Sequence, residues 1–495
     1  MKKTRKLISV ICVVAILVGA LSTVGLAANK KVNYTIINPY EDVDWSWEKY
    51  KADLHSHTTA SDGDSTLKEM LEVNYDYGFD IYAVSDHGTT SYSWTYQEVI
   101  PAVKVFLAIK DGVTEIVTLD EGGGYTFDGD RYDLITENGG DYYYQTYDDG
   151  TEGQKMLRVP FANEQNPTSL NNAHVNTWFV DYGHGVVGGT SDYETPIKAV
   201  DELGGLSVIN HPGEYTSARD EKCTADAYDE SYSYYIEKFE SLLLKYPTCM
   251  GIDVNSKGDS RTRFDRKLWD IMLMDLTPGG RNVLGIATSD AHRVSAAYTG
   301  YTMMIMPSNT VDNLKNCMSK GEFFAASRCI GNYEELQEIA TYLVQNGDAE
   351  AAAIGQDILD RQAENYRAKY EAPYELEAPE IKEIIVDDDE DKITLDVGDD
   401  ALCIRWIANG KTIGYGNEID LNEHSNEIGS YIRAEVFGKG GIVYTQAMML
   451  EYDGAPEAST NNAHDFWWVA SLVPDTLVRF LASLDIFKYI WEAIK

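Results

Sequence analysis

Between residues 51 and 327, short apolar runs alternate with amphipathic stretches along the chain. The first amphipathic stretch, residues 66–77, places its apolar side chains on one side, which is the spacing of an α-helix. A glycine ends it, and the apolar run 79–84 that follows has the length of a buried strand. The same order of helix, glycine and strand recurs over 194–210 and 268–287. Strands that alternate with helices favour parallel β-α-β units, so the pattern predicts a layered or barrel-like α/β fold.

One segment interrupts this alternation. Residues 111–153 are rich in glycine, aspartate and tyrosine, with three consecutive tyrosines from Tyr142 to Tyr144. We expect an insertion or a β-excursion over one end of the α/β unit. Two interpretations stay open: a wall of tyrosines that faces a substrate, or a solvated loop with no role in binding.

The pattern changes again after residue 330. Residues 331–380 are predicted to form a helix followed by an acidic linker, because alanine and glutamate give way to prolines and acids. Residues 381–453 alternate apolar and polar positions between short turns, which predicts a small antiparallel, Ig-like β-sandwich with a core of its own. The tail, 454–495, has the spacing of an amphipathic helix, which either lies on a membrane or cell surface or docks onto its own protein.

The first residues predict the compartment. A basic start is followed by an uncharged apolar run over residues 7–26, and Gly25 and Ala27 fit a cleavage site. A signal peptide over residues 1–27 is therefore expected, with an uncleaved anchor as the alternative. Under either interpretation the body of the protein is secreted or lies at the extracellular surface.

The net charge bears on the partners of the protein, and the cysteine count bears on its disulfides. The chain of 495 residues has a formal net charge of −39, which disfavours nucleic acid as a partner without excluding it. Five cysteines follow the predicted leader, so at least one is unpaired, and the disulfide pairing stays open. Their spacing is not that of a zinc finger.

Histidines and carboxylates collect where predicted strands end. His55 and His57 are two residues apart, so on a strand they point to one face and can hold one ion. In α/β barrels the chemistry lies at the C-terminal ends of the strands. Six of the nine histidines fall there, while His184, His424 and His464 do not and are expected to be structural or on the surface. The predicted metal ligands are His55, His57, Asp62, His87, Glu164, His174, His211, Asp290 and His292.

The series HSH, SDG, SDHG, NE, AH, NHP and SDAH over residues 52–327 resembles the PHP family, named for polymerase and histidinol phosphatase. The resemblance implies a distorted (β/α)7 barrel over about 41–330, with up to three divalent metal ions at its C-terminal mouth. It assigns His55, His57, Glu164 and Asp290 to one ion. It assigns Glu164, as a bridge, with His174 and His211 to a second, and Asp62, His87 and His292 to a third. An unusually long interval separates His87 from Glu164, so Glu115 and Glu121 are rivals for that position.

The ligand set also indicates the chemistry. Mixed imidazole and carboxylate ligands favour zinc, manganese or iron over calcium or magnesium. We expect a secreted phosphoesterase that hydrolyses a phosphomonoester or phosphodiester with a metal-activated hydroxide. Asp86 is expected to orient a ligand histidine, and Arg261, Arg263 and Arg293 to hold phosphate or else to be surface arginines. The alternatives are a non-catalytic extracellular metal-binding or surface-attachment protein and, within the enzyme class, an extracellular nuclease.

Overall fold

The computed structural model describes residues 31–98, 132–165, 173–185, 193–215 and 233–458. The predicted signal peptide, the rival residues Glu115 and Glu121, and nearly all of the predicted tail helix lie outside these ranges and stay predictions. Across the part of the chain that is described, no helix has both the length and the apolar character that crossing a bilayer requires.

The described residues form a mixed α/β structure. The strands are β1 (Thr35–Ile37), β2 (Glu48–Asp53), β3 (Ile81–Tyr82), β4 (Tyr132–Glu137), β5 (Gly140–Gln145), β6 (Met156–Arg158), β7 (Asn163–Gln165), β8 (Val175–Trp178), β9 (Leu206–Ile209), β10 (Cys249–Asn255), β11 (Leu284–Ala287), β12 (Gly300–Met306), β13 (Phe323–Ser327), β14 (Cys329–Ile330), β15 (Tyr370–Glu371), β16 (Ile381–Asp387), β17 (Lys392–Val397), β18 (Ala401–Ala408), β19 (Lys411–Tyr415), β20 (Glu418–Asp420), β21 (Tyr431–Gly438), β22 (Gly441–Tyr444) and β23 (Met448–Glu451). The helices are α1 (Leu67–Asp76), α2 (Glu194–Leu203), α3 (Pro212–Tyr215), α4 (Ser233–Lys245), α5 (Asp265–Leu276), α6 (Val311–Lys320), α7 (Tyr333–Asn346) and α8 (Ala349–Glu364).

Local signals fix the helices that the sequence predicted. The Thr66 side chain accepts a hydrogen bond from the Glu69 amide, and the Glu69 carboxylate accepts one from the Thr66 amide, so a capping box begins α1. Helix α2 ends at Gly204, which has a left-handed backbone that glycine adopts without strain. Both helices therefore match the predicted stretches closely.

The strands form two main sheets. The larger sheet runs β1-β23-β21-β22-β13-β12-β2-β3-β6-β5-β4, with β18 and β19 joined to it at β21. The smaller sheet runs β11-β10-β9-β8-β7, and its first three strands are parallel. The short strands β14 and β15 pair with each other, and β16, β17 and β20 form a small sheet of their own.

The expected closed barrel is not what the described residues form. Two isolated parallel bridges, one between Ser56 and Ala291 and one between His87 and Glu164, connect the two main sheets. Ser56, His87 and Ala291 follow the ends of β2, β3 and β11, whereas Glu164 lies within β7, so both bridges are where the predicted ligands are. The structure therefore supports the α/β class and replaces the seven-stranded barrel with two sheets that meet at the candidate site.

Where it is described, the tyrosine-rich segment is a β-hairpin followed by an exposed turn, which agrees with the expected β-excursion, and it is not a wall that faces a substrate. Strands β4 and β5 form a hairpin that pairs with β6 and so extends the larger sheet. Tyr143 is fully buried and its ring contacts those of Tyr75 and Tyr132. These rings build core, and no described tyrosine of this segment lines the cavity at the predicted ligands.

The C-terminal strands do not bury a separate core. Strand β22 pairs antiparallel with β13, which places β21, β22 and β13 in one continuous sheet. Tyr444 and Phe437 also share a hydrophobic cluster with Trp269 and Leu336 from the helical part of the chain. The predicted independence of residues 381–453 is thus wrong, because the pairing partner of β22 is distant in sequence and invisible to a local pattern.

A buried network of charges lies at this junction. Arg266 contacts both Asp259 (2.7 Å) and Glu335 (2.6 Å), and Arg433 contacts Asp270 at 2.7 Å. Arg405 donates to Glu435 at 2.7 Å. All of these side chains are buried, so four carboxylates face three guanidinium groups and one negative charge is in excess. Burial, with repulsion from Glu435, raises the pKa of Glu335 to about 7, although Arg266 opposes the shift.

This network predicts a specific dependence of stability on pH. The pKa of Glu335 is higher in the folded than in the unfolded chain, so its contribution is complete below its ordinary pKa of 4.5 and is lost as the pH rises through about 7. The free energy of unfolding of the wild type should therefore fall relative to that of Glu335→Gln by up to about 1.4 kcal/mol per pH unit in this window. Denaturant unfolding of both proteins across this pH range measures the difference, and parallel pH profiles would contradict it.

Candidate metal centre

Main-chain hydrogen bonds hold the ligand-bearing loops against one another. The Asp290 amide donates to the His55 carbonyl at 2.9 Å, and the His57 amide donates to the Ala291 carbonyl at 2.8 Å. The Glu164 amide donates to the Ser85 carbonyl at 3.1 Å. These bonds join four segments that are distant in sequence, and the side chains of the segments converge at one end of the two sheets.

Glu164 lies at the centre of the cluster. Its carboxylate is 1% exposed and touches five imidazole rings, so it is the group that the other ligands share. The distances from its nearer oxygen are 3.4 Å to His55, 3.2 Å to His57, 3.0 Å to His87, 2.9 Å to His174 and 3.4 Å to His211.

Asp290 is the second buried carboxylate of the cluster. One of its oxygens lies 3.3 Å from His57 Nε2 and 3.5 Å from His55 Nε2. The other lies 3.3 Å from His211 Nε2 and 3.0 Å from Lys257 Nζ. Asp290 and His211 both have a left-handed backbone, at φ 45° and 27°, and such conformations collect at functional sites where surrounding bonds hold them.

Asp62 and His292 form the solvent side of the cluster. Asp62 Oδ1 lies 3.5 Å from His87 Nε2 and 3.7 Å from His57 Nδ1, and Asp62 Oδ2 lies 3.4 Å from His292 Nε2. The side chains of Asp62 and His292 are 27% and 32% exposed, whereas those of Glu164 and Asp290 are 1% exposed. The cluster is therefore buried on one side and open on the other.

The spacing of these atoms fits divalent metal ions. Two ligand atoms about 2.0–2.2 Å from one tetrahedral ion lie about 3.3 Å apart, and the contacts here are close to that value. His55 Nε2 and His57 Nε2 are 3.1 Å apart, which suits two nitrogens aimed at one point. Four sets of three ligand atoms lie mutually within 4.8 Å: His55, His57 and Asp290; His55, Glu164 and His211; His57, Asp62 and His87; and His87, Glu164 and His174.

All nine predicted residues thus meet in one place, while their roles as ligands stay a prediction. The sets differ in part from those that the family resemblance implied, because His174 groups with His87 and Glu164 rather than with His211. His292 joins no compact set, although its ring nitrogens lie 3.4 Å from Asp62 and 3.5 Å from Asp290. The number and identity of the ions are not determined by this arrangement.

Electrostatics suit a cationic ligand. Burial would raise the pKa of Glu164, but the surrounding imidazoles, His174 first among them, lower it well below its usual value. Burial would likewise raise the pKa of Asp290, but His55 and Lys257 lower it well below its usual value. Burial lowers the pKa of His174 to about 4, so this ring is neutral and able to bind a metal. Both carboxylates are therefore anionic at neutral pH.

Several residues around the cluster position its loops. Asp86 accepts hydrogen bonds from the Thr58 amide (2.8 Å) and from Ser61 Oγ (2.5 Å), so it holds the loop after His57 rather than a histidine ring directly. Asp53, which the sequence analysis did not single out, accepts from the His55 amide at 3.3 Å, and burial raises its pKa to about 7. Its position two residues before His55, on the same face of the strand, was the available signal.

The arginines and the remaining histidines differ in whether they lie at the cluster. Arg261 and Arg293 line the cavity at the cluster, whereas Arg263 does not, because its guanidinium donates back to the Ser260 carbonyl at 2.6 Å. The prediction that Arg263 holds phosphate is therefore not supported. His184 contacts Glu98 and His424 contacts Glu427, both away from the cluster, and His464 lies outside the described residues.

A cavity of about 820 Å³ opens from the cluster to solvent. Lys257, a further residue that the sequence analysis missed, lies on its wall beside Asp290. Six of the predicted ligands line the cavity: Asp62, His87, Glu164, His174, Asp290 and His292.

Comparisons with known proteins give a distant likeness. No family model and no curated protein matches the chain. A two-domain protein from Bacteroides vulgatus, described as containing a predicted PHP-like metal-dependent phosphoesterase, is 12% identical over 85% of this chain and 91% of its own, with a TM-score of 0.35. PsfC from Pseudomonas syringae is 13% identical over 54% and 88%, with a TM-score of 0.29. The lesion-specific endonuclease PfuEndoQ from Pyrococcus furiosus is 13% identical over 55% and 56%, with a TM-score of 0.28. These scores are too low to support a function, which has to follow from the residues of the site.

The contacts of Glu164 predict the effect of removing its charge. Glu164→Gln keeps the shape of the side chain but loses the anion that five imidazoles face. The affinity of the protein for Zn²⁺ or Mn²⁺ should therefore fall by about 10-fold to 100-fold. Calorimetric titration and elemental analysis after dialysis measure the loss. Glu322→Gln is the matched control, because Glu322 is also buried but pairs with Lys320 outside the cluster. Equal metal binding by Glu164→Gln and the wild type would remove Glu164 from the ligand set.

Proposed function

We propose that this chain is a metal-dependent phosphoesterase that hydrolyses a small phosphomonoester or phosphodiester outside the cytoplasm. One observation carries the proposal: a buried carboxylate in contact with five imidazoles, beside a second carboxylate, at the floor of an open cavity. Such a centre offers more ligands than a single ion needs. The PHP-like motifs of the sequence and the predicted leader agree with this activity and compartment.

The residues of the chain have distinct parts in this proposal. Glu164 would be shared between ions, Asp290 would hold the most buried one, and Asp62 with His292 would hold the one nearest solvent. Bound divalent ions supply Lewis acidity, which lowers the pKa of a water molecule and neutralises phosphoryl oxygens. Lys257 adds a cation within 3.0 Å of Asp290, where it can donate a hydrogen bond to a phosphoryl oxygen that enters the cavity. Zinc, manganese and iron all suit the donor set.

The competing function is a metal-binding or surface-attachment protein without catalysis. A structural metal site is closed by its protein ligands, whereas catalytic sites keep a position open. The half-exposed edge at Asp62 and His292, together with the cavity above it, favours the enzyme. A nuclease is the weaker form of the enzyme proposal, because a net charge of −39 disfavours nucleic acid as a partner without excluding it.

Replacement of Asp290 tests catalysis directly. Asp290→Asn preserves the side-chain shape, and asparagine tolerates the left-handed backbone at φ 45°. Turnover of the best substrate from a panel of phosphomonoesters and phosphodiesters should fall by at least about 100-fold, since an anionic ligand of the most buried ion is lost. The assay uses protein loaded with Zn²⁺ or Mn²⁺ at saturating metal.

Asp391→Asn is the matched control for this variant. Asp391 is also buried and has φ 58°, but it lies at the turn between β16 and β17, where it accepts a hydrogen bond from the Tyr34 amide. Its variant should keep wild-type turnover. If the wild type binds metal but turns over no member of the panel, the non-catalytic function replaces the proposal.

A further inference from the structure

Beyond the predicted ligands, the cavity wall reverses the charge balance of the chain. The whole chain has 80 acidic and 41 basic residues, a twofold acidic excess. Among the described residues of the cavity wall, the basic side chains outnumber the remaining acidic ones, a balance that suits an anionic ligand. The basic residues are Lys257, Arg261, Arg293, Arg328 and Lys369, and the acidic ones are Asp64 and Glu371.

In the described part of the chain, the side chains of two of these cations form no ion pair or hydrogen bond with a predicted metal ligand, and both are at least partly exposed. Lys369 Nζ donates to the Gly258 carbonyl at 2.7 Å and to Ser260 Oγ at 3.2 Å. It also lies 3.3 Å from Glu371 Oε1, an ion pair whose carboxylate is 63% exposed and screened by solvent. The Lys369 side chain stays 26% exposed. Arg293 follows His292 and is exposed, and its guanidinium forms no ion pair or hydrogen bond with any residue in the described ranges.

An aromatic face completes this outer part of the cavity. Tyr374 is 48% exposed, and the Arg328 guanidinium lies 3.9 Å from the centroid of its ring. The Tyr77 ring stacks on it at 5.7 Å, and the Tyr374 hydroxyl donates to the Ser295 carbonyl at 3.3 Å. The ring is therefore fixed on the wall of the cavity that Arg293 and Lys369 also line, where its exposed part can contact the carbon skeleton of a ligand.

We propose that the substrate is a small organic phosphate with a second anionic group, and that Lys369 and Arg293 bind this second group. The inference rests on the proposed function for the position of the reacting phosphoryl group at the metal ligands. A cavity of about 820 Å³ lies within the range of roughly 300–1,000 Å³ that small-molecule ligands occupy, and a single phosphate would fill only part of it. Organic bisphosphates have the required chemistry, because two anions are joined through a carbon chain that can lie along Tyr374.

The test measures binding without turnover. Alkane bisphosphonates of increasing chain length and the alkylphosphonates of matching length are titrated calorimetrically into the zinc-loaded or manganese-loaded protein, since the carbon–phosphorus bond resists phosphoesterases. For the best chain length, the bisphosphonate should bind about tenfold more tightly than the matching alkylphosphonate, which corresponds to about 1.4 kcal/mol. This ratio of the two affinities is the quantity compared between variants. The Arg293→Ala, Lys369→Met double variant should bring this ratio close to one.

Two further variants keep the test decisive. Arg293→Ala alone is expected to leave the melting temperature unchanged. It should lower the affinity ratio about threefold, because one exposed charge pair between the protein and the second phosphonate is lost. Lys198→Ala, on the exposed face of α2, is the control for net charge and should keep the wild-type ratio. A wild-type ratio near one, or a double variant that keeps the wild-type ratio, overturns the second anion site. A ratio near tenfold in a protein that hydrolyses no phosphoester would instead overturn the proposed function and leave this anion site standing.

Discussion

The contact between one buried carboxylate and five imidazole rings organises this protein. A buried ion costs several kcal/mol unless charges or hydrogen bonds surround it, and Glu164 obtains them from segments on both main sheets. Its own strand, β7, belongs to the smaller sheet, while His55 and His57 follow β2 of the larger one. The two sheets therefore meet at the contact between Glu164 and the imidazole rings, and the bridge between His87 and Glu164 is part of that junction.

Backbone geometry at the site follows from the same requirement. Asp290 and His211 adopt left-handed conformations that cost free energy outside glycine, and the hydrogen bond from the Asp290 amide to the His55 carbonyl holds the first of them. Gly63 is needed for a related reason, because a Cβ atom there would lie 2.8 Å from the Thr58 carbonyl. The loop that carries Asp62 can close only without that atom. The left-handed backbone at Asp290 and His211 and the close approach at Gly63 thus all occur in segments that carry candidate ligands.

The sequence predicts what depends on local spacing. His55 and His57 share a face because a strand has a period of two, and the limits of α1 follow from the cap at Thr66. Closure of a barrel and the pairing of β22 depend on contacts between residues that are distant in sequence. For that reason the predictions of a closed barrel and of a sandwich with a separate core were wrong. The tyrosine composition of the β4–β5 hairpin does not distinguish core from surface. Lys257 follows β10 without a histidine or carboxylate beside it, so only its contact with Asp290 in space reveals it.

The C-terminal strands are connected to the candidate site through charge as well as through the sheet. Arg433 and Arg405 on β21 and β18 hold Glu435 between them, and Arg405 also lies 3.5 Å from Glu335. Glu335 contacts Arg266, which in turn holds Asp259.

Asp259 belongs to the short turn that carries Lys257, and its carboxylate also accepts a hydrogen bond from the Gly331 amide at 2.5 Å. Lys257 lies 3.0 Å from Asp290 at the other end of that turn. Because Asp259, Arg266 and Glu335 are buried, the loss of one would leave its partner as an uncompensated charge. The C-terminal strands therefore help to fix the turn on which a cation of the candidate site depends, which explains in physical terms why they share a core with the α/β part.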